Sequence, residues 1–146
     1  MALELFEEHI AIVEAADEFL AAVKRTPRIP INQLSRLRMR LSTLLRKHRM
    51  TEEEHIYGPL MRGGGFAGLP ELKPLMQDLQ RAKAKYSEHV RKCTPQAIEQ
   101  DWDGYVAACE ERIDAMKRLV REEEARIYQP VLGLNAARPP RRAARL

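Results

Sequence analysis

The sequence predicts an all-α protein folded as an antiparallel up-down-up-down four-helix bundle. Helix breakers cluster at a few points, and the stretches between them are long and rich in Ala, Leu, Glu, Arg, Lys and Met. Each stretch carries apolar residues three and four apart, whereas none alternates with period two for long. Short connections between amphipathic helices favour antiparallel neighbours.

The elements follow in order. The first helix is expected over 3–25, with the stripe Phe6, His9, Val13, Ala16, Leu20 and Val23, and Pro27 and Pro30 end it. The second is expected over 31–60, with Leu34, Leu37, Leu41, Leu44, Leu45, His48, Glu52 and Ile56 on its stripe. Gly63, Gly64, Gly65, Gly68 and Pro70 then read as a flexible connection, since no lysine or preceding strand makes them a phosphate loop. The third helix is expected over 71–93, with Pro74 in its first turn, where a proline is tolerated, and a stripe of Leu72, Leu75, Leu79, Tyr86, Val90 and Cys93. Thr94 and Pro95 are a cap and a first helical residue for the fourth, over 96–131, with Ile113, Met116, Val120, Glu123 and Ile127 facing inward. Residues 1–134 form one domain, and 135–146 is an Arg/Pro-rich tail expected to be disordered.

At 146 residues and 45% hydrophobic, the chain has room for one core. The net charge of +4 is uneven, because Arg138, Arg141, Arg142 and Arg145 stand in an acid-free tail. Without those four, 21 basic residues face 21 acidic ones over 1–137, so the body has no basic excess for nucleic acid. No apolar run approaches the ~20 residues of a membrane span, and the acidic start lacks the pattern of a secretory signal. Cys93 and Cys109 make neither a disulfide framework nor a thiolate metal site and read as small buried hydrophobes. A reducing cytoplasm is the expected setting.

Polar residues interrupt the apolar stripes. His9, His48, Glu52 and Glu123 stand where the periodicity asks for core, and a buried carboxylate needs a proton, a cation or a metal. His9 lies 17 residues before Thr26 and His48 lies 18 after Pro30, so the two histidines share a height in an antiparallel hairpin. Glu52 is one turn beyond His48 on the same face. Imidazole nitrogens and carboxylate oxygens converging in a bundle core are a metal site for iron, manganese or zinc. Without a metal, the same four residues would pair by hydrogen bonds.

The two halves of the chain repeat. His48 to Pro59 parallels Leu119 to Pro130, aligning Glu52 with Glu123, Ile56 with Ile127, Tyr57 with Tyr128 and Pro59 with Pro130. A shift of 70 aligns His9 with Leu79, Ala16 with Tyr86, Leu20 with Val90 and Val23 with Cys93. On Glu8-His9, His48-x3-Glu52-Glu53-x3-Tyr57-x-Pro59 and Glu123-Glu124-x3-Tyr128-x-Pro130, the chain resembles the hemerythrin-like (HHE) family over residues 3–131. The resemblance implies a hemerythrin-like bundle in which His9 and His48 ligate one metal, with Glu52 and Glu123 in bridging positions. It also implies iron as cofactor, O2 or another small diatomic as partner, and a role in oxygen or redox sensing or iron handling.

The second histidine pair of that family is absent, since Leu79 and Leu119 have no lone pair to donate. This leaves one ion or an asymmetric pair, and it makes a di-iron oxidase the least favoured reading. The competing reading is a metal-free bundle with a regulatory protein partner. A phosphotransfer histidine is disfavoured because His9 and His48 lie on the apolar stripe. His89 lies ten residues past Leu79, about 15 Å along the helix, and reads as half-buried near a helix end. His55 gives the Glu-x-x-His spacing of ferritin-like sites, but Ala125 and Arg126 spoil the second copy, so it reads as solvated. Tyr57 and Tyr128 read as packing residues, the methionines as ordinary helix and core residues, and Trp102 as either a surface anchor or a packing residue.

Overall fold

A computed structural model describes residues 2–63 and 69–132, all helical or connecting, with no strand among them. The expected tail and most of the glycine-rich connection lie outside the described residues. Four helices are long: α1 (Ala2–Val23), α2 (Ile31–Glu52), α4 (Lys73–Lys92) and α6 (Trp102–Glu123). Three are short: α3 (Gly58–Arg62), α5 (Pro95–Gln100) and α7 (Gln129–Val131). No helix among the described residues is long and apolar enough to cross a membrane.

Cross-helix contacts fix directions. Glu18 with Arg40 and Glu8 with His48 run α1 against α2. Asp17 with Lys117 and Lys24 with Glu110 run α1 against α6. His89 with Cys109 at one end, and Arg126 just past α6 donating to the carbonyl of Glu71 just before α4 near the other, run α4 against α6. The charged pairs are mostly exposed and contribute little energy each, so they mark the register and apolar packing supplies the stability.

The apolar residues form two clusters. One gathers Ile12, Phe19, Leu34, Leu41, Ile98, Tyr105 and Ile113; the other gathers Leu5, Phe6, Ile56, Leu75, Ile127 and Tyr128. Along α1, His9 falls between Phe6 and Ile12; along α2, His48 falls between Leu41 and Ile56; along α6, Glu123 falls between Ile113 and Ile127. The polar residues therefore form a layer with apolar packing on both sides.

The fourth helix and the burial of several apolar residues need correction. The fourth predicted helix is two, because Asp101 breaks it: its backbone leaves the helical region and its carboxylate caps α6 by accepting from the Gly104 N–H at 3.0 Å. Thr94 caps the short α5 as expected. Met39, Met50 and Met61 are exposed, and Val90 is 40% exposed, because the α2, α3 and α4 faces that carry them turn outward. Trp102 is buried, with the Arg28 guanidinium 5.1 Å over its ring, which makes it a packing residue.

Asp101→Ala removes the cap of the helix that carries Glu123. We expect a loss of about 1 kcal/mol in urea unfolding with an unchanged denaturant slope.

Candidate metal centre

His9, His48, Glu52 and Glu123 are all buried, and one donor atom from each lies within 4.8 Å of the others. α1 supplies the first, α2 the next two and α6 the last. His9 Nε2 stands 3.1 Å from Glu123 Oε1, and His48 Nε2 pairs with Glu52 Oε1. The two imidazole rings are 4.4 Å apart between centroids.

The outer nitrogens also meet carboxylates. His48 Nδ1 lies 2.9 Å from Glu8 Oε1, and Thr51 holds the other Glu8 oxygen at 2.9 Å. His9 Nδ1 lies 3.8 Å from Glu124 Oε2. His48 thus has a carboxylate at hydrogen-bond distance on both sides, while a neutral imidazole carries only one N–H; His9 has one at Nε2, and its buried Nδ1 makes no hydrogen bond. At His48, with its N–H given to Glu8, a second proton or a metal ion must stand between Nε2 and Glu52. Protonating both rings would set two positive charges a ring's width apart in a buried site. A divalent cation meets the same demand with Nδ1–H donated outward to Glu8 or Glu124, which is how metal-ligating histidines are commonly oriented. Among the described residues, Glu8, Glu52 and Glu123 have no ion pair to Lys or Arg.

Two tyrosines complete the group. Tyr57 donates to Glu123 Oε2 at 2.8 Å and Tyr128 donates to Glu123 Oε1 at 2.9 Å. The Tyr128 oxygen also lies 3.1 Å from His9 Nε2 and 3.0 Å from His48 Nε2. Burial, then the charges of Glu123 and Glu52, push both hydroxyls far above their ordinary range, so they stay protonated donors. The packing role expected for these tyrosines is therefore incomplete.

The reason is a change of helical pitch. Both Glu53–Tyr57 and Glu124–Tyr128 are π-helical, with Gly58 N–H donating to Glu53 and Gln129 N–H to Glu124, five residues back. Pro59 and Pro130 follow each segment. In an α-helix each proline ring would press on the carbonyl four residues earlier, and the wider turn relieves this. Residues five apart lie ~140° apart on an α-helix; a wider turn brings them toward one face, which lets Tyr128 reach Glu123. The repeated Glu-x4-Tyr-x-Pro was the available signal, but an α-helical period turns it away from the site. Glu8 and Glu124 were legible only as neighbours of His9 and Glu123.

Leu79 is buried and Leu119 half-buried beside this group, and neither adds a donor. His89 is half-buried at the far end of α4, stacked on Tyr105 with ring centroids 5.9 Å apart and 3.6 Å from the Cys93 sulfur. Burial and the nearby Arg38 and Arg112 lower its affinity for a proton. Cys109 is buried as expected and Cys93 is partly exposed. His55 stands outside the group, 3.9 Å from Glu54. Compared with family models, curated proteins and solved structures, the chain matches none.

Burial opposes a charge on His9, but the bonds and charges of Glu123 and Glu124 outweigh it and raise its pKa from 6.5 to about 9. Burial also opposes a charge on Glu123, and His9, Tyr57 and Tyr128 outweigh it, holding that carboxyl below its ordinary range. A raised folded-state pKa stabilises below 6.5 and loses that stabilisation as pH rises to 9. In excess chelator, stability should therefore fall across that window by on the order of 2 kcal/mol, and His9→Gln should flatten the fall. The check is chemical denaturation at a series of pH values.

Proposed function

We propose that this chain is a hemerythrin-like metal-binding protein that holds one iron ion through His9, His48, Glu52 and Glu123. The observation that carries the reading is the convergence of four buried donors, one from each residue, within 4.8 Å of one another, with His48 set between two carboxylates. The antiparallel contacts of α1 with α2 and α6, and of α4 with α6, support an up-down-up-down four-helix bundle around that site. Leu79 and Leu119 support a single ion over a full pair. The expected role is oxygen or redox sensing, or iron handling.

Two imidazole nitrogens and two carboxylates suit iron with positions left open. Bound iron would supply one-electron redox chemistry and a position for O2 or another small diatomic. Glu8 and Glu124 orient the two rings, so that each Nε2 points inward. Tyr57 and Tyr128 hold Glu123 from either side and fix the direction of its oxygens. The apolar clusters above and below limit water around the donors.

A second reading has its own support. The Tyr128 hydroxyl lies within 3.1 Å of Glu123 and both histidines, so protons alone can tie the group together. On that reading the chain is a metal-free regulatory or protein-interaction module.

Protein expressed with added iron should carry about one iron per chain, falling below ~0.2 in His48→Ala. Glu8→Gln should keep the fold and weaken metal affinity by about 10–100-fold. Wild-type protein with less than ~0.2 of any metal, and equal stability with and without chelator, would favour the metal-free module.

A further inference from the structure

A cavity of about 180 Å³ abuts the candidate ligands. It lies between α2, α4 and α6, with the four His and Glu side chains among its lining. Leu45, Leu79, Met116 and Leu119 contribute apolar wall, and exposed Arg49, Lys83 and Ser87 lie on its lining toward solvent. The Ser42 and Tyr86 hydroxyls join α2 to α4 at 3.1 Å, and exposed Arg49 on α2 with Lys83 and Ser87 on α4 places the entrance between these two helices.

Size and lining define the occupant. An apolar cavity of about 150 Å³ is known to stay dry and to hold benzene. The present cavity has room for one such ring and one or two further atoms, far more than a diatomic needs. Its basic side chains Arg49, Lys83 and Arg112 lie on the lining along with the apolar wall; deep in the pocket the apolar wall suits a ring, and the His/Glu side offers partners for a single oxygen.

We propose that this cavity binds a small neutral phenol or ring-bearing alcohol, its ring against Leu79 and Leu119 and its hydroxyl against the His/Glu group. The hydroxyl contact rests on the metal-site reading; the seat of the ring does not. Leu79 and Leu119 then have a role of their own, as the wall that selects an apolar molecule beside the polar layer. Ala115 on α6 also lines the cavity and sets how much of it is open.

The test is calorimetric titration of phenol and of benzene into chelator-treated and iron(II)-loaded protein. One phenol per chain is expected, bound at least about tenfold more tightly than benzene in the loaded form. Ala115→Phe should fill the cavity and weaken phenol by more than about tenfold while the metal content stays as in wild type. Leu119→Ala should enlarge it and admit 2-naphthol, which wild type should refuse. Absence of saturable phenol binding by either form up to about 10 mM overturns the proposal, as does phenol binding that neither variant changes. Equal affinity for phenol and benzene overturns the placement of the hydroxyl. Phenol binding without metal binding supports the cavity and removes the metal reading, while metal binding without phenol does the reverse.

Discussion

An imidazole has two nitrogens and, when neutral, one proton. His48 places both nitrogens against carboxylates inside the protein, His9 faces Glu123 with one and stands 3.8 Å from Glu124 with the other, and the rest of the site is arranged around that mismatch. Glu52 and Glu123 occupy the inner side and Glu8 and Glu124 the outer side. Buried carboxylates are costly unless something positive stands beside them, and two facing histidines supply that only by taking extra protons or by sharing a metal ion. The fold must therefore hold α1, α2 and α6 close enough to bring donors from all three together, and cover the layer above and below. The apolar clusters on either side of the polar layer do both, because each helix buries hydrophobic residues before and after its polar one.

The two π-helical turns belong to the same constraint. Pro59 and Pro130 cannot follow a regular α-helix without pressing on a carbonyl, and the helix widens just after Glu52 and just after Glu123. The consequence is chemical as well as geometric. Tyr57 and Tyr128 swing toward the layer and donate to the two oxygens of Glu123, leaving that carboxylate little freedom to turn. The same device in both halves of the chain gives the site an approximate symmetry that its donor residues do not share, since the second half has leucines where the first has histidines.

That asymmetry gives the polar layer two different sides. Toward α1 and α2 it meets the imidazoles and their outer carboxylates. Toward α4 it meets Leu79, and on α6 Leu119, with an open volume beside them. A site that is polar on one side and apolar on the other can hold a charge and an uncharged molecule next to each other. Cys93, Cys109 and His89 are gathered near the other end of α4, so the chemistry-bearing side chains fall into two separate groups.

The sequence by itself determined the helices and the polar positions on their stripes. The helix formers and breakers are local, and a 3.6-residue period reports which face is buried whatever the partner. Matched distances from the first turn put His9 and His48 at one height, and the tertiary structure brings them together with Glu52 and Glu123. Only the tertiary structure decided the outer carboxylates, the tyrosine donors and the break at Asp101. Glu8 and Glu124 gain meaning from which ring lies opposite, which depends on how two helices rotate against each other. Tyr57 and Tyr128 depend on a pitch change that an α-helical period turns the wrong way. Asp101 ends a run whose neighbours on both sides favour helix, because its carboxylate finds the Gly104 amide and starts a new one. In each case the deciding contact joins groups whose separation in space is set by backbone geometry that residue spacing alone leaves open.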